Sequence, residues 1–284
     1  MKARVRVVAT GLVAIMGPGC AGAGGAPVTL VTIPTTVTVV PADTTRVTTT
    51  TLPATTTSPG DVEPAPVATT AQVGCETTPY RSLFDARRTP AGPYLLHHPA
   101  EAAAETPTVM FIPGGTSGTR EAAERVWTNY LSNGDGVDDY RIVIPYAVDF
   151  DLYDDEDRLL AIVDEVVRCF GGDPERFHVA GYSRGGQIAF DLMLARPDLF
   201  ATALGAPGEF PQIDPDGWRD RLAGKAVFNG VGELDEEWLP FVRATHDALV
   251  AAGIESVYVE FPGEGHRLSA EFDESIFFEF WASH

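Results

Sequence analysis

The strongest constraint in this sequence is a succession of short apolar runs separated by segments of helical spacing. Thr108-Val109-Met110-Phe111-Ile112 is followed by Arg141-Ile142-Val143-Ile144, Phe177-His178-Val179-Ala180, Ala201-Thr202-Ala203-Leu204, Ala226-Val227-Phe228 and Val257-Tyr258-Val259-Glu260-Phe261. A sheet with one wet face alternates apolar and polar residues, so runs with little alternation belong to strands covered on both faces. Helical patterns fall between them: Asp157 to Phe170, with Leu160, Val163, Val167 and Phe170 on one stripe; Gln187 to Ala195; Leu239 to Ala252, closed by Gly253; and Glu271 to Trp281. This alternation predicts an α/β domain, a mostly parallel central sheet with helices on both faces. Phe277, Phe278, Phe280 and Trp281 in the last helix read as sheet-covering residues rather than a ligand box.

The globular pattern starts at Cys75, and the residues before it read differently. Lys2, Arg4 and Arg6 precede a mostly apolar stretch from Val7 to Met16, the layout of an export signal over residues 1–20. That stretch is half the roughly 20 residues needed to span a bilayer. Met16-Gly17-Pro18-Gly19-Cys20 resembles a bacterial lipoprotein box, with Cys20 as the lipidated residue; cleavage after Ala21-Gly22-Ala23 is the alternative and would discard that cysteine. Residues 21–74 are dense in threonine and interrupted by Pro41, Pro53, Pro59, Pro64 and Pro66, so they bury too little apolar surface to offset their ordering entropy. They are expected to form an extended tether, with residues 75–284 as the folded domain. The chain is therefore expected to be exported, either secreted or held at the cell envelope, with a membrane as partner only through the lipid on Cys20.

Charge and cysteine content narrow the function classes further. The chain carries 40 Asp+Glu against 20 Lys+Arg, a net charge of −20, and such a field repels a phosphate backbone, which excludes nucleic acid as a partner. Cys75 and Cys169 remain after either signal cleavage, and a pair of cysteines in an exported chain favours a disulfide over two buried thiols. The acidic stretch from Asp149 to Asp157 lacks the spacing of a calcium loop and instead complements the start of a helix, so no metal or cofactor is expected.

One motif carries chemistry. Gly181-Tyr182-Ser183-Arg184-Gly185 is G-x-S-x-G, a weak pattern alone, but here it lies between an apolar strand and a helical segment. A nucleophile elbow needs that context, because the serine must occupy a tight strand-to-helix turn with small neighbours. A serine also needs a base, and of the 6 histidines only His266 lies on a loop after a strand and beyond the serine, where open α/β sheets place their sites. His97 and His98 precede the central strands, His178 lies inside one, His246 is on a helix facing solvent and His284 is the terminus. A carboxylate must orient the imidazole; Asp235, in Gly232-Glu233-Leu234-Asp235, is the best placed, with Glu233 and Glu236 as rivals. The oxyanion donors are expected from the N–H of Arg184 and from Gly115 or Thr116 in the loop after Ile112. Arg184 and Trp218 are candidates for the pocket edge.

The segment from Asp173 to Gly186, with Asp235 and Gly265-His266 following in that order, resembles the α/β-hydrolase superfamily, and within it secreted esterases of the feruloyl esterase and polyhydroxybutyrate depolymerase type. Those enzymes also have a cysteine shortly before the D-P-x-R segment, as Cys169 is here. Pro113-Gly114 stands where they have His-Gly, and Arg184 where they have asparagine. The resemblance implies an α/β-hydrolase fold and a serine esterase acting on small-molecule or polymeric esters through Ser183, His266 and Asp235. Residues 206–225 leave no room for a large lid. A serine peptidase and a non-catalytic binding module of the same fold are the alternatives.

Overall fold

Each central strand divides its side chains between two cores, which is why the runs are apolar without alternation. The computed structural model describes residues 74–284 apart from 82–83, 116–117, 149–151 and 211–213. The signal, Cys20 and the tether up to residue 73 lie outside the described residues. In chain order the elements are β1 (Thr78–Tyr80), β2 (Phe84–Arg88), β3 (Pro93–His97), β4 (Thr108–Ile112), α1 (Arg120–Tyr130), β5 (Arg141–Pro145), α2 (Glu156–Phe170), β6 (Phe177–Gly181), α3 (Arg184–Ala195), β7 (Thr202–Gly205), α4 (Pro215–Arg221), β8 (Ala226–Gly232), α5 (Leu239–Ala252), β9 (Glu255–Phe261) and α6 (Ser275–Ser283). A 3₁₀ turn at Leu152–Asp154 precedes α2.

The strands form one 9-stranded sheet in the order β1-β2-β3-β5-β4-β6-β7-β8-β9. The edge from β1 through β3 is antiparallel, as is the pairing of β3 with β5. From β5 to β9 the pairing is parallel throughout. Met110, Ile112, Val143, Val179, Ala203 and Val227 face one core, which α2, α3, α4 and α5 cover. Val109, Phe111, Ile142, Ala180, Leu204 and Phe228 face the other, which α1 and α6 cover. Phe111 is fully buried, so its truncation to alanine is expected to cost about 3–5 kcal/mol.

Several expectations shift in detail. On α2 the buried residues are Leu159, Ile162, Val163 and Val166, a stripe rotated from the expected one, with Val167 exposed. The last helix starts at Ser275 rather than Glu271, because the Asp273 carboxylate takes the Ser275 N–H at 3.1 Å and its hydroxyl at 2.5 Å. The edge strands β1 to β3 and the helices α1 and α4 are additional to the expected elements. Cys75 and Cys169 are joined in a disulfide with Cα atoms 5.3 Å apart. Arg87 reinforces that corner: it donates to the carbonyls of Glu76 and Gly74 and pairs with Glu165. No helix of the described residues is long and apolar enough to cross a membrane, and no group of potential metal ligands occurs among them.

Candidate active site

The serine sits where the parallel strands end. Ser183 lies between β6 and α3 with φ 58° and ψ −125°, a left-handed value that a non-glycine residue adopts only when its surroundings impose it. The surroundings do so through close backbone packing. A Cβ on Gly181 would lie 2.1 Å from the Gly185 carbonyl oxygen, and one on Gly185 would lie 2.2 Å from that of Ile112. The Ser183 N–H donates to the Pro207 carbonyl at 2.8 Å, which pins the turn to the chain leaving β7.

His266 reaches the serine from the loop after β9. Its Nε2 is 3.0 Å from Ser183 Oγ, and its Nδ1 is 2.7 Å from Asp235 Oδ2. Paired with a carboxylate, Nδ1 carries the proton, so Nε2 is left to accept the serine hydroxyl. Asp235 lies in the turn between β8 and α5, and its side chain is only 4% exposed against 37% for His266. Its other oxygen accepts the Trp238 N–H at 3.3 Å, so both oxygens are held. Of the rivals, Glu233 accepts the Gly263 N–H at 3.0 Å and Glu236 is exposed; it is Asp235 that meets the imidazole. The two loops touch closely, since a Cβ on Gly232 would lie 2.2 Å from the Gly265 carbonyl oxygen. Asn129 and Asn133, at the end of α1 and just beyond it, donate to the carbonyls of Leu268 and Ala270 and fasten the far side of the His266 loop.

Of the expected oxyanion donors, Arg184 directly follows the serine. Arg184 is the first residue of α3, a position whose N–H has no intrahelical acceptor. Gly115 has φ 105°, which favours glycine, and Gly114 presses on Tyr182: a Cβ there would lie 2.4 Å from its ring. Thr116 lies outside the described residues. Sequence reasoning missed the residue that links these two arms. Tyr153, buried in the 3₁₀ turn before α2, donates its hydroxyl to the Pro113 carbonyl at 2.9 Å, while the Arg184 guanidinium lies 4.7 Å over its ring. Asp154 next to it accepts from Arg184 at 2.9 Å. Nothing local in the sequence marks this tyrosine; the contact arises only when the turn folds under the loop.

The other histidines are engaged elsewhere. His178 bonds Thr202 Oγ1 at 2.9 Å inside the sheet, and burial lowers its pKa to about 3. His246 stacks on Tyr258 and bonds Ser256 at 2.9 Å, so it is partly buried, not solvated as expected. His97 belongs to β3, and the His98 ring lies 4.9 Å from Phe170. His284 lies 3.1 Å from Glu255. Trp218, expected at the pocket edge, is instead buried on α4 with its ring 4.5 Å from Phe210. The Arg184 side chain does reach the surface, 41% exposed.

No protein-family model matches the chain, and no curated protein matches it in sequence. Solved structures do. The S-formylglutathione hydrolase FrmB of Staphylococcus aureus superposes with a TM-score of 0.53 at 13% identity, covering 71% of this chain and 97% of that one. A ferulic acid esterase gives 0.53 at 16% identity, covering 70% and 95%. A thermostable esterase gives 0.50 at 20% identity, covering 64% of this chain and 54% of that one, so this chain spans about half its length. At these identities the likeness is one of fold: the chain has the α/β-hydrolase fold.

Proposed function

We propose that this protein is an exported serine hydrolase that cleaves carboxylic esters, with Ser183 as nucleophile, His266 as general base and acid, and Asp235 as the residue that orients the imidazole. The observation that carries the reading is the unbroken hydrogen-bond chain from Ser183 through His266 to Asp235, starting at a serine held in a strained turn. A structural serine has no need of that backbone geometry or of a histidine already paired with a buried carboxylate.

In the acylation step Ser183 Oγ attacks the ester carbonyl carbon as its proton passes to His266 Nε2. The negative charge on the carbonyl oxygen is stabilised by the N–H of Arg184 and by the loop at Gly115 and Thr116. The C–O bond to the alcohol then breaks, and the departing oxygen takes the proton from Nε2. Water, deprotonated by the same nitrogen, attacks the acyl-serine; collapse releases the acid and returns the proton to Ser183. Asp235 stabilises the imidazolium formed in each half.

Ester chemistry is favoured by the names of the similar structures, esterases and an S-formylglutathione hydrolase. Export rests on the basic, then apolar start of the chain and on the Cys75–Cys169 disulfide, a bond that persists in oxidising compartments. Anchoring through Cys20 and a tether over residues 21–74 complete the reading. The test is hydrolysis of p-nitrophenyl acetate and butyrate by the full chain beside Ser183→Ala. Turnover by the parent and a loss of about 10⁴-fold or more in the variant is expected. Equal rates in the two proteins would overturn the assignment. Cleavage of peptide anilides without the esters would transfer it to a peptidase.

A further inference from the structure

Two large apolar side chains stand open to water on either side, in sequence, of a tryptophan that meets the histidine. Leu234 is 64% and Phe241 52% exposed, in a stretch whose neighbours Glu233, Glu236 and Glu237 are acidic. Between them in sequence lies Trp238, whose ring is 5.6 Å from that of His266 and tilted 37° to it. The Trp238 backbone and the imidazole are held by one carboxylate, since Asp235 accepts the Trp238 backbone N–H with one oxygen and meets His266 with the other. Leu234 is tied to the histidine loop through its N–H, which donates to the Glu264 carbonyl at 2.8 Å. Phe241 follows Trp238 by three residues in a helical turn, its N–H on the Trp238 carbonyl at 3.0 Å, so the two share a side of the helix start. Exposed apolar side chains flanking a ring that lies against this histidine, in a chain of net charge −20, mark a binding surface.

Resting on the assignment of Ser183 and His266, the chemistry decides which half of the substrate meets it. The alcohol oxygen must come within hydrogen-bond reach of Nε2 to collect its proton. The alcohol therefore leaves over the imidazole, while the acyl chain extends from a carbonyl held at the Arg184 and Gly115 side. We propose that Trp238, Leu234 and Phe241 form the subsite for the alcohol half of the ester, and that the substrates are esters of neutral, apolar alcohols, aromatic ones included. The surrounding glutamates repel an anionic alcohol.

The test uses two isomers. Benzyl acetate carries its aromatic ring on the alcohol, and methyl phenylacetate carries it on the acid. Hydrolysis of both by the full chain is compared with that by the double variant Leu234→Ser/Phe241→Ser, whose substitutions lie at exposed positions, and with Trp238→Ala. The ratio of kcat/KM for benzyl acetate to that for methyl phenylacetate is expected to fall about tenfold in the double variant, the scale of losing apolar contact in a pocket, and in the same direction in Trp238→Ala. Comparing ratios cancels the intrinsic reactivity of the two leaving groups. A ratio that stays fixed in the double variant, or rises, would overturn the subsite while leaving the esterase assignment intact. A parent that hydrolyses neither isomer and not p-nitrophenyl acetate either would fail the assignment itself.

Discussion

Two histidines of this sheet show how position decides what one side chain can do. His178 lies within β6, fully enclosed, its Nδ1 on the Thr202 hydroxyl and its ring against Tyr140 and Trp281. Burial makes the charged form costly there and lowers its pKa to about 3, so it stays neutral and serves packing. His266 lies past the end of β9, more than a third exposed, with a buried carboxylate on one nitrogen and a serine on the other. The strand interior supplies apolar walls and backbone partners that are already satisfied. The strand ends supply loops that turn side chains toward solvent, and glycines that let those loops approach one another.

The sharpest way to break this contrast is to truncate each histidine. His266→Ala is expected to lower ester hydrolysis about 10⁴-fold or more while the folded protein persists, because it removes the base and a ring more than a third exposed. His178→Ala is expected to do the reverse: a loss of about 2 kcal/mol in stability, since Thr202 loses a buried partner, with kcat of the folded protein nearly unchanged. Thermal melts and initial rates on both variants decide it. Asp235→Asn should follow, with kcat down by about 10³- to 10⁴-fold, because an amide cannot stabilise the imidazolium or enforce the Nδ1–H tautomer.

The proposed oxyanion donors give a smaller effect. Tyr153→Phe removes the hydroxyl that holds the Pro113 carbonyl but keeps the ring beneath Arg184. It is expected to lower kcat about tenfold with KM changed less than twofold, since a displaced donor costs most where charge has developed on the oxygen. A KM effect alone would make Tyr153 a substrate contact instead.

The smallest effect lies at the far end of the histidine loop. Glu274 is buried and accepts the Asn133 N–H at 3.0 Å, yet burial dominates and raises its pKa from 4.5 to about 7. Between those values the folded protein keeps a proton that the unfolded chain has released. The contribution to stability is therefore full below about pH 4.5 and is lost as pH rises through about 7. Melting curves from pH 4.5 to 8 should show the parent losing about 3–5 °C relative to Glu274→Gln, a scale set by one buried carboxyl in a domain of this size. Parallel curves for the two proteins would show that Glu274 titrates normally.

Much of this was legible in the sequence, and the exceptions have physical causes. The central strands declared themselves because both faces are covered, so Val109 and Met110 are both apolar although they enter different cores. The edge strands did not: β2 reads Phe-Asp-Ala-Arg-Arg, and its Arg87 is buried only because Glu165 and two carbonyls meet it. Helix α1 has its buried Ala122, Ala123, Val126, Trp127 and Tyr130 at helical spacing, a signal present but diluted by its charged residues. Ser183, His266 and Asp235 were readable because each sits after a recognisable strand. Tyr153 and Trp238 were not, since their contacts with Pro113, Arg184 and His266 join segments distant in sequence. Trp218 misled for the complementary reason: an aromatic in a polar segment can still be core when its helix packs inward.

Whether Ser183 is an activated nucleophile decides everything proposed above. The most direct measurement is reaction of the full chain with a serine-reactive fluorophosphonate, followed by mass mapping of the product. One phosphonyl group per chain is expected, on Ser183, with labelling slowed severely in His266→Ala. A chain that stays unlabelled under conditions where it is folded, or one labelled at another residue, would contradict it.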